Sequence, residues 1–241
     1  MPGTREPSAG GRGDLILGIS GASGARLGLR ALALFSASPD LTHLHVVVSS
    51  RALLVARTEI SAGITSDEAL LDSAGLDGAS RAKLVLHAES AVDAPISSGS
   101  FQTRGMAVLP CSAGTLAAIA HGTSRGLLQR AADVCLKERR RLVLGLRETP
   151  LSLVHAENIE RVTLAPTKVF KFPEKHGTLE TGVNADVTVI DLQEGNFELI
   201  DQQNNKRTAK RKVVPVAVVH GGTLTKIDPA VHEGMYAGVK L

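Results

Sequence analysis

Between residues 14 and 146, short apolar runs recur and are separated by longer stretches whose apolar positions repeat at helical spacing. The runs at 15–19, 44–48, 83–87, 106–109 and 142–146 predict strands. The stretches at 24–36, 50–57, 66–73, 115–121 and 126–139 predict helices, with Ser66 placed to cap one of them. Alternation of this kind predicts an α/β fold, a doubly wound parallel sheet covered by helices on both faces. Right-handed crossovers then bring the ligand-binding loops to the carboxyl ends of the strands. After about residue 161 the pattern changes. Val-rich runs at 185–192 and 213–220 are separated by polar turns, and 194–212 reads as a strand, an Asn-rich turn and a basic strand edge, with Gly221-Gly222 as a further turn. The expected organisation is a disordered leader at 1–13, a main domain at 14–160, a small carboxyl-terminal β segment at 163–227 and a tail at 228–241.

Composition narrows the classes of function. The 27 basic residues are offset by 24 acidic ones, for a net charge of +3, so the charge balance does not call for nucleic acid. With aromatic residues at 2% and no Trp, a base-stacking platform would be hard to build, and nucleic acid is not an expected partner. The two cysteines, Cys111 and Cys135, sit inside apolar or helical patterns without CxxC spacing. They read as buried thiols of a protein in a reducing, cytoplasmic compartment. No apolar run approaches the eighteen or so residues of a membrane span, and residues 1–13 lack a signal-peptide apolar region.

The candidate chemistry starts at LILGISGASGA (15–25), where an apolar strand runs into a turn of small residues and then a helix. Glycines at 18, 21 and 24 permit tight or positive-φ geometry. Ser20 and Ser23 supply hydroxyls, and the following helix would aim its unpaired amides at an anion. A close-packed strand-to-helix connection would look the same. Four further segments converge on the same crevice if each strand's carboxyl end faces it: Ser49-Ser50, SSGSFQT (97–103), PCSAGTLAAIA (110–120) and LRETPLS (146–152). Each taken singly reads as ordinary capping, but five together favour a site for a phosphate, a ribityl chain or a flat ring. His43 and His45 form an HxH, but they open a strand and read as ordinary strand residues.

GISGASGA (18–25), ISSGSFQT (96–103), LPCSAGTLAAIAHG (109–122), GLLQRAADVCLKERRRLVL (126–144) and RETPLSLVHAEN (147–158) together resemble the flavin prenyltransferases of the UbiX/Pad type. The resemblance implies a flavodoxin-like Rossmann fold and FMN as cofactor. It also implies transfer of a dimethylallyl group from dimethylallyl monophosphate to reduced FMN, with the product passed to a UbiD-type decarboxylase. Homo-oligomers, trimers and dodecamers with flavin sites near subunit interfaces, are implied as well. Carried over by motif position, Gly21, Ala22 and Ser23 would surround the phosphate and ribityl region, with Ser49, Ser112, Thr115 and Arg130 completing the flavin contacts. Lys137, Arg147 and Glu148 match residues that meet the prenyl phosphate, and Glu59 matches an acidic residue that would handle protons with Glu148. Read from pattern alone, Lys137 and Arg147 could equally be solvated charges, and Glu148 a helix cap. No metal is required.

Beyond RETPLSLVHAENI the resemblance is expected to stop. The strand and closing helix that carry a phosphate-gripping Tyr and basic residue in that family have no counterpart, and Tyr236 lies in an unrelated tail. RVTLAPTKVF (161–170), GTLETGVNADVTVIDLQEGNFELID (177–201) and VVPVAVVHGG (213–222) resemble instead the carboxyl end of a dihydroorotase/deacetylase-type amidohydrolase, without that enzyme's barrel or metal ligands. The chain thus reads as a junction of two unrelated proteins near 157–163. Two functions stay open beside the prenyltransferase: an FMN-binding or assembly module without efficient prenyl transfer and, weakly, a metal-dependent amidohydrolase.

Overall fold

The computed structural model describes residues 13–169, 187–200, 206–220 and 223–226. Residues 1–12 of the expected leader, the stretches 170–186, 201–205 and 221–222, and the tail with Tyr236 lie outside the described residues, whereas Gly13, the leader's expected last residue, begins the first strand. The chain divides into two compact units, residues 1–162 and 163–241.

In the first unit, strands β1 (Gly13–Ile19), β2 (Leu41–Val48), β3 (Leu84–His87), β4 (Gly105–Cys111) and β5 (Arg141–Leu146) form one sheet in the order β3-β2-β1-β4-β5. Every neighbouring pair is parallel. Parallel strands need crossovers, and these carry α1 (Ala25–Ser36), α2 (Ser50–Glu59), α3 (Asp67–Asp72), α4 (Gly78–Ala82), α5 (Ala113–Ala120) and α6 (Leu127–Lys137), while α7 (Leu153–Val169) follows β5. This is the doubly wound parallel sheet expected from the pattern, and the flavodoxin-like fold that the resemblance implied. The five predicted strands and five predicted helices all form, with boundaries moved by a few residues. Helices α4 and α7 and a 3-10 turn at Pro95–Ser97 add to them.

Alternation within the strands divides the core between the two faces of the sheet. Leu17, Ile19, Leu44, Val46 and Val48 pack toward α1 and α2. Ile16, Val47, Met106 and Val108 pack with Leu116, Leu127, Leu128 and Ala131 of α5 and α6. The strand order reverses between β1 and β4, so the loops that leave their carboxyl ends diverge and open a crevice there. That reversal places the glycine turn after β1 opposite Ser112 after β4.

Helix α7 continues to Val169, past the pattern change near residue 161. In the second unit, β6 (Val187–Ile200), β7 (Lys206–His220) and β8 (Thr223–Lys226) form an antiparallel sheet in the order β6-β7-β8. The pairing of Ile200 with Lys206 makes β6 and β7 the hairpin whose second strand begins with the basic stretch. Among the described residues, no helix is long and apolar enough to cross a membrane.

Candidate functional site

A cleft of about 820 Å³ opens at the point where the strand order reverses. Gly21 from the β1 turn, Ser50 and Arg51 from α2, Ser112 at the cap of α5, Ala113, Gly114, Thr115, Ala117 and Ala118 from α5, Gln129 from α6 and Glu148 after β5 all contribute to its wall. Gly21 and Glu148 stand just past the carboxyl ends of β1 and β5, and α2 and α5 each start at the carboxyl end of a strand. Ser49 caps α2 by accepting from the Ala52 amide at 3.1 Å, and Ser112 caps α5 by accepting from the Thr115 amide at 3.2 Å. The two floors are tied together by Ser20, whose hydroxyl donates to the Pro110 carbonyl at 2.9 Å and accepts from the Ser112 amide at 2.8 Å.

The glycine turn is built differently from its sequence expectation. Gly24 caps α1 with φ at 97°, a conformation that favours glycine. The amides expected to face an external anion are already engaged. The Glu59 carboxylate accepts from the Gly24 amide at 2.9 and 3.0 Å and from the Ala25 amide at 2.8 Å. A fixed negative charge from the end of α2 thus sits on the positive end of α1 and locks the turn. At α2 the Glu89 carboxylate accepts from the Ser50 amide at 2.9 Å. Among the described residues no carboxylate accepts from the start of α5, and its first residues, Ala113 and Gly114, face the cleft. A Cβ added to Gly114 would meet nothing within 4 Å. The open anion seat is therefore at α5.

Of the residues expected from sequence, Gly21, Ser112, Thr115 and Glu148 line the cleft, and Ser49 caps the helix whose next two residues do so. Ala22 is buried in the β1 turn. Ser23 stands between it and the Gly24 cap. Arg130 lies on α6, where it donates to the Ser97 carbonyl at 3.3 Å and pairs with Asp133 at 3.0 Å. Arg147 follows β5 directly. Its amide donates to the Cys111 carbonyl at 2.8 Å, and its guanidinium has no hydrogen-bond or ion-pair partner among the described residues. Lys137 is not brought to the cleft. It lies at the far end of α6 from Gln129, beside Glu138 at 3.3 Å. Eight residues of helix, about 12 Å of rise, separate the two positions.

The sequence reading missed Arg51, Glu89, His121 and Gln129, all in the cleft wall. Arg51 was reachable, being the neighbour of Ser49-Ser50. Gln129 carries a sharper signal in three dimensions, because its Oε1 is buried without a partner among the described residues. A buried acceptor with no donor calls for one from outside the chain. The two cysteines, by contrast, are packing groups. Burial pushes the Cys111 thiol up to about 12 and the Cys135 thiol up to about 11, so neither is a nucleophile at neutral pH.

These features fit FMN: an anion seat at a capped helix start, small residues along α5 and α2 that let a flat ring approach, and an orphaned acceptor for an amide or hydroxyl donor. Comparison with known proteins agrees. A model of the Flavoprotein family matches residues 5–202, running past residue 157, where the sequence resemblance was expected to stop, and into β6. The chain is 48% identical over 149 residues to the flavin prenyltransferase UbiX of Neisseria meningitidis serogroup B, covering 62% of this chain and 71% of that protein. It is 45% identical over 163 residues to the flavin prenyltransferase UbiX of Escherichia coli, covering 65% and 79%. Among solved structures, it resembles AnUbiX in complex with FMN and dimethylallyl pyrophosphate, with a TM-score of 0.55, 37% identity, and 64% and 75% of the two chains covered. It also resembles a dodecameric FMN-dependent UbiX-like decarboxylase from Escherichia coli O157:H7, with a TM-score of 0.53, 37% identity, and 70% and 86% covered. The chain belongs to the Flavoprotein family and, within it, to the UbiX-like flavin prenyltransferases.

Proposed function

We propose that this chain binds FMN in the cleft and transfers a dimethylallyl group to the reduced flavin from dimethylallyl monophosphate. The observation that carries this reading is the start of α5, a helix terminus with a hydroxyl cap on each side of the crevice and no carboxylate of its own. It seats a flavin phosphate through the Ala113 and Gly114 amides and the Ser49, Ser112 and Thr115 hydroxyls. Gly21, Ala22 and Ser23, held still by Glu59, form the wall against which the ring and ribityl chain lie, and Arg130 steadies the 97–100 loop. When bound, the reduced flavin supplies an electron-rich ring that receives the prenyl group.

The chain's own task is to make departure of the phosphate possible. Breaking the carbon–oxygen bond of the prenyl ester puts a growing negative charge on phosphate oxygens in a partly dry cleft, and a cation beside them lowers that barrier. Arg147, which stands outside the wall itself but directly before Glu148 of the wall, supplies it with a guanidinium that has no partner among the described residues. Glu148, next in sequence and in the cleft wall, gives or takes the proton at the phosphate oxygen. Glu59 was expected to share that work, but both its oxygens are engaged by amides. We assign it to holding the glycine turn. Lys137 acts outside this cleft, consistent with a homo-oligomer in which sites meet at subunit interfaces. The solved relative named for its dodecameric state supports that assembly, and the relative solved with dimethylallyl pyrophosphate supports a prenyl phosphate as donor.

The product's recipient is a UbiD-type decarboxylase, and the buried reduced thiols suit a cytoplasmic location. The unit at 14–160 carries this function. The segment at 163–227 serves as a separate β unit, and its amidohydrolase-like reading rests on its own residues alone. Titration with FMN tests the first step. Quenching of flavin fluorescence is expected at micromolar protein, and no quenching would refute the site.

A further inference from the structure

Beneath the 88–103 loop, on the α5 and α6 side of the sheet, three side chains from three adjacent strands form a partly buried polar chain. The Asp14 carboxylate of β1 lies 3.4 Å from Nε2 of His45 on β2, and Nδ1 of His45 lies 2.9 Å from Nε2 of His87 on β3. His45 is only 6% exposed. The edge of Phe101 covers it at a centroid distance of 5.0 Å. Both ends of the covering loop are fixed to this group. The loop starts at His87, and at its other end the Thr103 hydroxyl and the Arg104 amide both donate to the Asp14 carbonyl at 2.9 Å. Among the described residues these groups form no metal site.

A carboxylate only accepts, so Asp14 fixes the proton of His45 on Nε2 and leaves Nδ1 bare. His87 must then donate from its own Nε2. One proton arrangement satisfies the chain, and it holds the end of β3 against β2. Two residues further on, Glu89 is in the cleft wall. Its carboxylate accepts from the Ser50 amide at 2.9 Å and its carbonyl from the Leu127 amide at 2.8 Å, so one residue ties the starts of α2 and α6 together.

We infer that His87, held by His45 and Asp14, is a positioning residue that sets Glu89, and through it the starts of α2 and α6, at the flavin cleft. This rests on the reading of that cleft as the flavin site. The charged and titratable groups facing the pair are few. Asp14 stands on β1, and His43 on β2 shares the Asp14 carboxylate at 3.1 Å. Arg104 lies over Gly13 with its guanidinium turned to the Asp40 carbonyl. Burial first, and the neighbouring histidine charge second, hold His87 below the usual histidine range near 6.5, and burial also lowers His45. The contact is therefore intact at neutral pH. It is lost as pH falls below 6.5, where a proton on Nδ1 of His45 sets donor against donor.

Three forms of the full chain test this: wild type, His87→Leu and His87→Gln. Leucine removes the donor, and the Kd for FMN is expected to rise about fivefold, the scale of one hydrogen bond. A glutamine amide donates to neutral His45 and, turned over, accepts from protonated His45. It should restore affinity and flatten the acid weakening that wild type shows as pH falls below the usual histidine range. Hydrogen exchange without flavin gives an independent readout, in which the Ser50 and Leu127 amides should exchange faster in the leucine variant alone. Unchanged exchange at those two amides, or an acid profile that persists in the glutamine variant, would overturn the inference. Absence of FMN binding in wild type, with exchange changed as expected, would instead refute the flavin reading and leave the positioning role standing.

Discussion

Replacing Arg147 by alanine is expected to slow prenyl transfer about a hundredfold while leaving the Kd for FMN within about twofold, because the side chain acts on charge that develops only as the phosphate departs. The position supports this division. Arg147 stands at the carboxyl end of β5, next to Glu148 in the cleft wall and tied by its amide to Cys111 at the end of β4. The flavin seat proposed at α5 draws on other residues. A lysine at 147 should recover part of the rate, since it restores the charge without the paired donors of a guanidinium. Single-turnover rates measured beside flavin titrations separate the two effects, and equal loss of rate and flavin affinity would show that Arg147 belongs to the flavin seat.

Gly21→Ala is expected to do the reverse, costing flavin binding before chemistry. A Cβ at this position would collide with Cβ of Arg51 and stand 2.9 Å from its backbone carbon, so no flexible side-chain end can move aside to admit it. The first turn of α2 must back away, carrying Ser49, Ser50 and Arg51 with it. Overpacking of a tight backbone approach costs about 1–3 kcal/mol. The Kd for FMN should therefore rise at least tenfold, with a fall in Tm of a few degrees. Flavin titration and thermal unfolding of the two proteins check this, and a variant with unchanged affinity would mean that the β1 turn and α2 are not packed as the cleft requires.

The sheet was legible in the sequence because each strand of a doubly wound fold is a short apolar run, and the helices between them carry a 3.6-residue stripe. Helix α4 was not, being five residues, GASRA, with no apolar stripe to read. Cleft residues at strand ends, such as Ser112 and Gly21, could be found because strand end, small residue and helix start are contiguous in the chain. Glu59 could be named but not understood, since the amides it holds lie 34 and 35 residues earlier. For the same reason His45 read as an ordinary strand residue: its partners Asp14 and His87 are 31 and 42 residues away. Local pattern gives elements and turns, whereas buried polar contacts between strands depend on a register that only folding supplies.

The central claim is that this cleft joins a dimethylallyl group to reduced FMN. Anaerobic incubation of the full chain with reduced FMN and dimethylallyl monophosphate, with dimethylallyl pyrophosphate in parallel, followed by mass spectrometry of the released flavin, addresses it directly. A flavin heavier by one dimethylallyl group, formed faster from the monophosphate and lost in Arg147→Ala, is the expected result. Recovery of bound but unmodified FMN with either donor would contradict it, and would leave a flavin-binding protein rather than a prenyltransferase.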